Sequence, residues 1–260
     1  MFANWGEFLM RKIFWLSIAG LLILGLATSA GSDDQSELKA LLDKGIKTAG
    51  GQEKLSKFKA GTCKIKGKIL ESGKEGSFTF DAFLQAWDQA KIEGEVDHQG
   101  MQLKAMFIVN GDQGWAKFMD NVEDAPKDAI SGIKDIIRTF RYIYALTPLK
   151  DQAVTLSPLG EINVDGKAAL GLKVACKDQQ DIRVFLDKAT GLPVKAEFNF
   201  SKSGGQEEAL EFTVSDYKES NGIKHFSKVA LKHNGTAIFE ADLSDFKWVD
   251  KLEASVFEKP

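Results

Sequence analysis

Side chains that do chemistry are scarce in this sequence. Three histidines (His98, His225 and His233) and two cysteines (Cys63 and Cys176) are all it offers. No HExxH, CxxC or EF-hand spacing occurs, so a metal site is not expected. His225 and His233 share parity on one expected strand, eight residues apart. Strand rise then separates them by roughly 27 Å, too far to grip one ion. No GxSxG elbow is present, and neither cysteine has the flanking residues of a nucleophile. Gly50-Gly51 and Gly204-Gly205 read as a helix cap and a turn, not as phosphate loops. The carboxylates fall mostly at turns and on wet strand positions, the pattern of a solvated face. The expectation is a protein that is not an enzyme and carries no cofactor.

Excess charge is missing too. The formal net charge is -3, which gives nucleic acid no electrostatic reason to bind. Polar aromatics are few: Tyr 3 stands against Phe 18. Phe brings large apolar area with no polar handle, so much aromatic surface has to be hidden.

Long apolar runs are absent except for Ile13 to Leu26. Arg11 and Lys12 precede that run, and Ala27-Thr28-Ser29-Ala30 follows it. Basic start, apolar middle and small-residue end read as a secretory signal peptide over residues 1–30. The run is short for a membrane anchor and lacks a stop-transfer flank. Met10, directly before Arg11-Lys12, reads as the more natural start. No cysteine follows Ala30 directly, so lipoprotein-type acylation is not expected. The product is expected to be exported or periplasmic, soluble after cleavage and without a transmembrane span. In such a compartment Cys63 and Cys176 have two readings. They could pair, closing a long loop worth roughly 4 kcal/mol. They could also be two separate buried thiols, which the inward parity of Cys63 favours.

The composition, 43% hydrophobic and 27% charged, suits a folded domain. Leu38, Leu41, Leu42 and Ile46 predict a helix over 36–49, stopped by Gly50-Gly51, with a short second turn over 53–58. From there the period is two. Cys63, Ile65, Gly67 and Ile69 alternate with Lys64, Lys66 and Lys68. Phe78, Phe80 and Ala82 alternate with Thr79 and Asp81. Met101, Leu103, Ala105, Phe107 and Val109 form another set, and Leu192 to Phe200 a further one with Ala196 and Phe198. Leu210, Phe212 and Val214 come next, then Val229 and Leu231, then Ala237 to Leu243. Gly-bearing turns such as Val164-Asp165-Gly166, Asn221-Gly222 and Asn234-Gly235 separate them, which predicts an antiparallel meander.

One segment departs from this pattern. Between Pro126 and Pro148, Ile130, Ile133, Ile137, Phe140 and Tyr144 recur at steps of three and four, widened by Ile136 and Ile143. That is a helix with a broad apolar face inserted into a sheet protein. No composition break marks a boundary within 31–260. The fold class is α+β, a single domain with a large antiparallel sheet whose dry face is covered by helices.

Surplus apolar residues occupy wet positions. Met106 and Ile108 share the parity of Gln102 and Lys104. Phe83 and Trp87, then Phe246 and Trp248, repeat this. Either a helix or loop covers them, or the concave side of a curved sheet holds spare apolar surface for an acyl chain. The stripe Lys64, Lys66 and Lys68 reads as a solvent face or an edge guard.

Several stretches together resemble the exported outer-membrane lipoprotein-sorting family, the LolA/LolB-like fold. They are "GGQEKLSKFKAGTCKIKGKI", "VNGDQGWAKF", "VDGKAALGLKVACK", "VFLDKATGLPVKAEF" and "DYKESNGIKHFSKVAL". The resemblance runs from about Leu38 to "SVFEKP" and implies a strongly curved, incomplete barrel with helices over its concave face. The helix Ala129 to Leu146 then matches a lid. The resemblance further implies a hydrophobic cavity. Its candidate lining is Phe78, Phe80, Met106 and Ile108 from the early strands and Phe198, Phe200 and Phe212 from the later ones. Ile133, Ile137, Phe140 and Tyr144 add the lid. Arg183, which interrupts an inward-looking run, is the candidate for an arginine that latches lid to sheet. The expected partner is a lipid or lipidated protein, with an envelope protein bound through the same sheet as the alternative.

Overall fold

The computed structural model describes residues 32–57, 59–70, 76–98, 100–201 and 207–260, which belong to one compact unit. The expected leader at 1–30 lies outside the described residues. Helix α1 spans Ser32–Ala49, four residues earlier than the apolar periodicity indicates. Asp34 in the first turn suits the positive end of a helix, which extends it before its first core contact at Leu38. Gly50 adopts φ 131, and the Gly51 amide donates to the Ile46 carbonyl at 2.8 Å, closing the helix. Helix α2, Gln52–Ser56, is the short second turn and buries Leu55.

Among the described residues thirteen antiparallel strands follow, in one open sheet. The first six are β1 Ala60–Ile69, β2 Gly76–Gln85, β3 Gln89–His98, β4 Met101–Asn110, β5 Gln113–Phe118 and β6 Asn121–Asp124. Helix α3, Lys127–Ala145, interrupts them and leads through a 3-10 turn, Thr147–Lys150, to β7 Val154–Val164. Then come β8 Lys167–Cys176, β9 Ile182–Asp187, β10 Pro193–Ser201, β11 Glu207–Ser220, β12 Ile223–His233 and β13 Thr236–Val249. The order in space is β6-β5-β4-β3-β2-β1-β13-β12-β11-β10-β9-β8-β7.

That order fixes the position of α3. Each half of the chain is a meander, and the halves join through β1 and β13 at the centre of the sheet. The residues between β6 and β7 must therefore connect one sheet edge to the other. A helix with one apolar face makes that crossing over the sheet's dry side, because only there is its stripe buried.

The turns follow local chemistry. Asp165-Gly166, Asn221-Gly222 and Asn234-Gly235 all have positive φ at both residues, the condition for a two-residue hairpin turn. At two places the side-chain parity changes within a strand. Asp216 has φ 51, and the Ser227 hydroxyl donates to its carbonyl at 2.7 Å. Beyond that point Tyr217 and Phe226 join the same core as Val214 and Val229. Asp245 has φ 53 beside a register shift between β1 and β13, and Phe246 joins the core that holds Leu243. The apolar excess of Phe246 and Trp248 on wet positions is thus an effect of local bulges, which turn both side chains inward.

Glycines set the closest approaches. A Cβ on Gly67 would stand 2.4 Å from the Phe78 ring, its cross-strand neighbour. A Cβ on Gly45 of α1 would stand 2.2 Å from the Gly191 carbonyl oxygen in the β9–β10 turn.

The convex face is a lattice of mixed charge. Lys173, Arg183, Glu197, Glu211 and Lys232 stand opposite one another along five strands. Lys195 bridges Glu197 and Glu211 at 2.6 Å each, Arg183 meets Glu197 at 2.7 Å and Lys232 meets Glu211 at 3.1 Å. Lys64, Lys66 and Lys68 are flanked on β13 by Ser244, Asp242 and Glu240. The lysine stripe is therefore one column of a charge-balanced face, without the unpaired positive field that an acidic surface would need.

Candidate functional site

The concave face divides into a filled part and a half-open part. Over β8 to β12 the core is dense: Leu172, Val184, Leu186 and Phe198 are all 0% exposed. Leu38, Leu42 and Ile46 of α1 and Ile143 of α3 pack into this part. Over β1, β2, β12 and β13 the packing thins. Cys63, Ile65, Ile69, Phe80, Leu231 and Phe239 join the same core, yet each keeps accessible area. We term this incompletely covered, inward-facing apolar surface the recess.

An aromatic cluster lies where α3 crosses the sheet. Phe140 meets Phe212 edge-on at 5.2 Å and Phe226 at 6.1 Å. Tyr144 stacks on Phe226 at 4.2 Å and approaches Phe246 and Trp248 at 6.1 Å each. Phe198 lies behind Phe212 at 6.4 Å. Toward the half-open part, Phe78 packs on Phe80 and Phe239, both at 5.5 Å. Each such pair contributes about 0.5–1.5 kcal/mol beyond its burial. Burial also sets the acidity of the polar groups here. It pushes the Cys63 thiol up to about 12, with Asp81 adding to the shift, and it holds the Tyr144 and Tyr217 phenols well above their usual range.

Between β12 and β13 the ladder runs only from Lys228–Asp242 to His233–Thr236. Below it the strands diverge, and the His225 ring fills the gap against Phe246 at 3.9 Å. His225 is 5% exposed, and burial lowers its pKa. His233, on the same strand, instead meets Glu208 at 2.8 Å. The two imidazoles thus serve different places. Among the described residues no group of three or more His, Cys, Asp or Glu is placed to hold a metal ion.

Polar contacts at Lys134, Arg138 and Tyr142 tie the middle and C-terminal half of α3 to neighbouring segments. Lys134 meets Asp112 of the β4–β5 turn at 2.5 Å. Arg138 donates to the Gln179 side chain at 2.5 Å, to the Gln180 carbonyl at 2.7 Å and to Asp135 at 2.9 Å. The Tyr142 hydroxyl lies 3.2 Å from Cys176 Sγ. Both cysteines are free.

Of the residues nominated from sequence, Phe78, Phe80, Phe140, Tyr144, Phe198 and Phe212 share this concave core. Ile137 is buried and Ile133 half-buried on α3. Phe200 pairs with Glu208 in the backbone ladder, but its side chain lies outside the described set. Met106 and Ile108 are placed elsewhere. The register through β1, β2, β3 and β4 gives Leu103, Ala105, Phe107 and Val109 the concave face, so Met106 and Ile108 point to the convex one. Asn110 shares their parity and donates to the Phe257 carbonyl at 3.3 Å. The C-terminal turn Ala254–Phe257 therefore lies over this strand's outer face, and Ile108 is 2% exposed beneath a covered surface. Arg183 also differs from expectation. It belongs to the convex row with Glu197, because Ile182 and Val184 take the inward parity, and the arginine that reaches from lid to sheet is Arg138. Phe226, Phe239 and Tyr217 were not nominated. Phe226 and Tyr217 were hidden by the parity change at Asp216, while Phe239 stood in the inward set Ala237 to Leu243 without being chosen as cavity lining.

Neither protein-family models nor curated protein sequences match this chain. Solved structures do. A LolA superfamily protein from Nitrosomonas europaea is 11% identical, with 85% of this chain and 97% of that one covered at a TM-score of 0.52. A domain assigned to outer membrane lipoprotein sorting, from Vibrio parahaemolyticus, is 16% identical over 84% and 97%, at 0.50. A DUF1329 family protein from Desulfovibrio piger is 14% identical over 85% and 97%, also at 0.52. At these identities the likeness is one of fold. The fold is LolA-like: a strongly curved, incomplete antiparallel barrel with helices across its concave face.

Proposed function

We propose that this chain is a non-enzymatic, exported binder or carrier of a hydrophobic ligand, a lipid or the acyl chain of a lipidated protein. The observation that carries the reading is the recess. Cys63, Ile65, Ile69, Phe80, Leu231 and Phe239 turn inward and join the core, yet remain partly uncovered beneath a helix that joins the two sheet edges. Filling such a surface with an acyl chain gains roughly 25 cal/mol per Å² of apolar area removed from water. The Nitrosomonas and Vibrio structures lend support through their names and their shared fold. Residues 1–30 act in this reading as a cleaved leader, and 31–260 as a single domain working outside the cytoplasm. Among the described residues no helix is long and apolar enough to cross a membrane.

Native mass spectrometry of protein purified from its own cell envelope tests the reading. Co-purifying lipid, displaced by a fluorescent fatty acid, is the expected result. A clean apo mass with no uptake of the probe contradicts it.

The filled part of the concave face supports a second reading, an interaction module that binds an envelope protein through the sheet. Phe198, Phe212 and Phe226 leave little room there, at 0%, 2% and 0% exposure. A pull-down that retains one protein and no lipid would favour this alternative.

A further inference from the structure

Tyr144 lies within the aromatic cluster, and its hydroxyl differs from those of its neighbours. The Tyr142 hydroxyl meets Cys176 Sγ, and the Tyr217 hydroxyl donates to the Pro193 carbonyl at 2.7 Å. The Tyr144 hydroxyl has no hydrogen-bond partner among the described residues. A phenol in an apolar interior ordinarily finds one, because leaving the bond unmade costs stability. Tyr144 keeps accessible area, and its hydroxyl is not among the fully buried side-chain atoms left without a partner, so water reaches it although the ring is stacked on Phe226 and flanked by Phe246 and Trp248. Cys63, one of the recess side chains, is close enough to act on the Tyr144 phenol, which places that phenol beside the recess.

The surroundings are neutral. Besides burial, only the Cys63 thiol and the Tyr217 hydroxyl bear on the Tyr144 phenol, and both push its pKa further up. Cys63 is itself raised to about 12, so it stays protonated at neutral pH. No lysine or arginine is among these influences. A charged head group brought to this point would lose its hydration with no opposite charge to replace it. A neutral hydrogen-bonding group would lose little and would satisfy the phenol.

We propose that the ligand of the recess carries a neutral hydrogen-bonding group, an alcohol or an ester or amide carbonyl, which pairs with the Tyr144 hydroxyl. This inference rests on the hydrophobic-ligand reading and narrows its ligand class. Tyr144 orients the ligand within the recess, and the apolar walls supply most of the affinity.

The test compares three probes that share one chain length: 1-pyrenedodecanol, dodecylpyrene and 1-pyrenedodecanoic acid. Each is titrated into the full protein and into Tyr144→Phe at pH 8. The full protein should bind the alcohol about five- to tenfold more tightly than the hydrocarbon, the range of one net hydrogen bond. Tyr144→Phe should remove that preference and leave the hydrocarbon affinity unchanged. The melting temperature of ligand-free Tyr144→Phe should equal or exceed that of the parent, because its hydroxyl has no protein bond to lose. A drop of several degrees, or failure to fold, would assign the hydroxyl to a protein partner and overturn the proposal. Equal affinity for alcohol and hydrocarbon in both proteins would overturn the anchor while leaving the recess intact. Tighter binding of the acid than of the alcohol would overturn the neutral class. Binding of none of the three would remove the hydrophobic-ligand reading and the anchor with it.

Discussion

Gly45 of α1 and Gly191 of the β9–β10 turn touch backbone to backbone. A Cβ on Gly45 would stand 2.2 Å from the Gly191 carbonyl oxygen and 2.9 Å from its carbon. Gly191 has φ 73, and a Cβ there would stand 2.4 Å from the Gly45 nitrogen. The turn is held by the Asp187 carboxylate, which accepts from the Thr190 hydroxyl at 2.6 Å and from the Ala189 amide at 3.1 Å. The hairpin thus docks α1 on the sheet as well as joining two strands. Gly45→Ala should cost about 1–3 kcal/mol, since no rotamer relieves a backbone clash. Gly132 of α3 has nothing within 4 Å of a built Cβ, so Gly132→Ala should instead stabilise by up to about 1 kcal/mol. Urea denaturation of both variants checks the contrast, which fails if both shift in the same direction.

Phe140 tests whether α3 is lid or ordinary core. It touches Phe212, Phe226 and Tyr144 but is only half-buried. Phe140→Ala should therefore cost less than the roughly 3–5 kcal/mol of a fully packed phenylalanine. Uptake of a fluorescent acyl probe should change along with it. A full-size stability loss with unchanged uptake would make the helix plain core.

Arg138 fastens the C-terminal half of α3. Its side chain is 13% exposed, and the guanidinium donates to Gln179, Gln180 and Asp135. Arg138→Ala should lower stability by roughly 1–3 kcal/mol, the range for hydrogen bonds from a charged donor. Amide exchange should accelerate in α3 more than in β8 to β10. Uniform acceleration across the sheet would mean that Arg138 supports the whole fold and not the lid alone.

The His225 imidazole gives the fold a pH dependence of known sign. Burial lowers its pKa below the ordinary 6.5, and Lys218 opposite it on β11 adds to the shift. As pH falls, the unfolded chain takes up this proton before the folded one does. The stability linked to His225 is complete above about 6.5 and declines as pH falls through the folded value. The urea midpoint should drop between pH 7.5 and pH 5.5, and His225→Gln should flatten that drop. Parallel profiles for the two proteins would remove His225 as the cause.

Cys63 reports on whether the recess opens. With its thiol pushed up to about 12, almost none is thiolate at pH 8. Maleimide should label this position slowly in the native protein and rapidly in urea. Fast native labelling at Cys63 would show that α3 lifts away from β1 on the labelling timescale.

Many of the strands and the long amphipathic helix were legible in sequence, because each rests on local order. Period-two alternation identified β1, β2 and β10, and steps of three and four identified α3 between Pro126 and Pro148. Asn-Gly and Asp-Gly pairs placed the hairpins, since positive φ is a property of those residues and not of their neighbours. The facing of individual side chains was less legible. Parity counts hold only until a bulge, and the bulges at Asp216 and Asp245 are fixed by contacts with other strands. That is why Phe246 and Trp248 looked misplaced and Phe226 went unnoticed. Ile108 looked like spare cavity lining until the C-terminal turn, some 150 residues later, was found over its strand's outer face. Sequence alone set the strand-rich character, the Gly-bearing turns and the two long helices, because backbone preference and side-chain period are local. Tertiary structure decided which apolar residues line the recess, which arginine holds the lid and which hydroxyl lacks a partner, because each depends on segments that meet only after the sheet has formed.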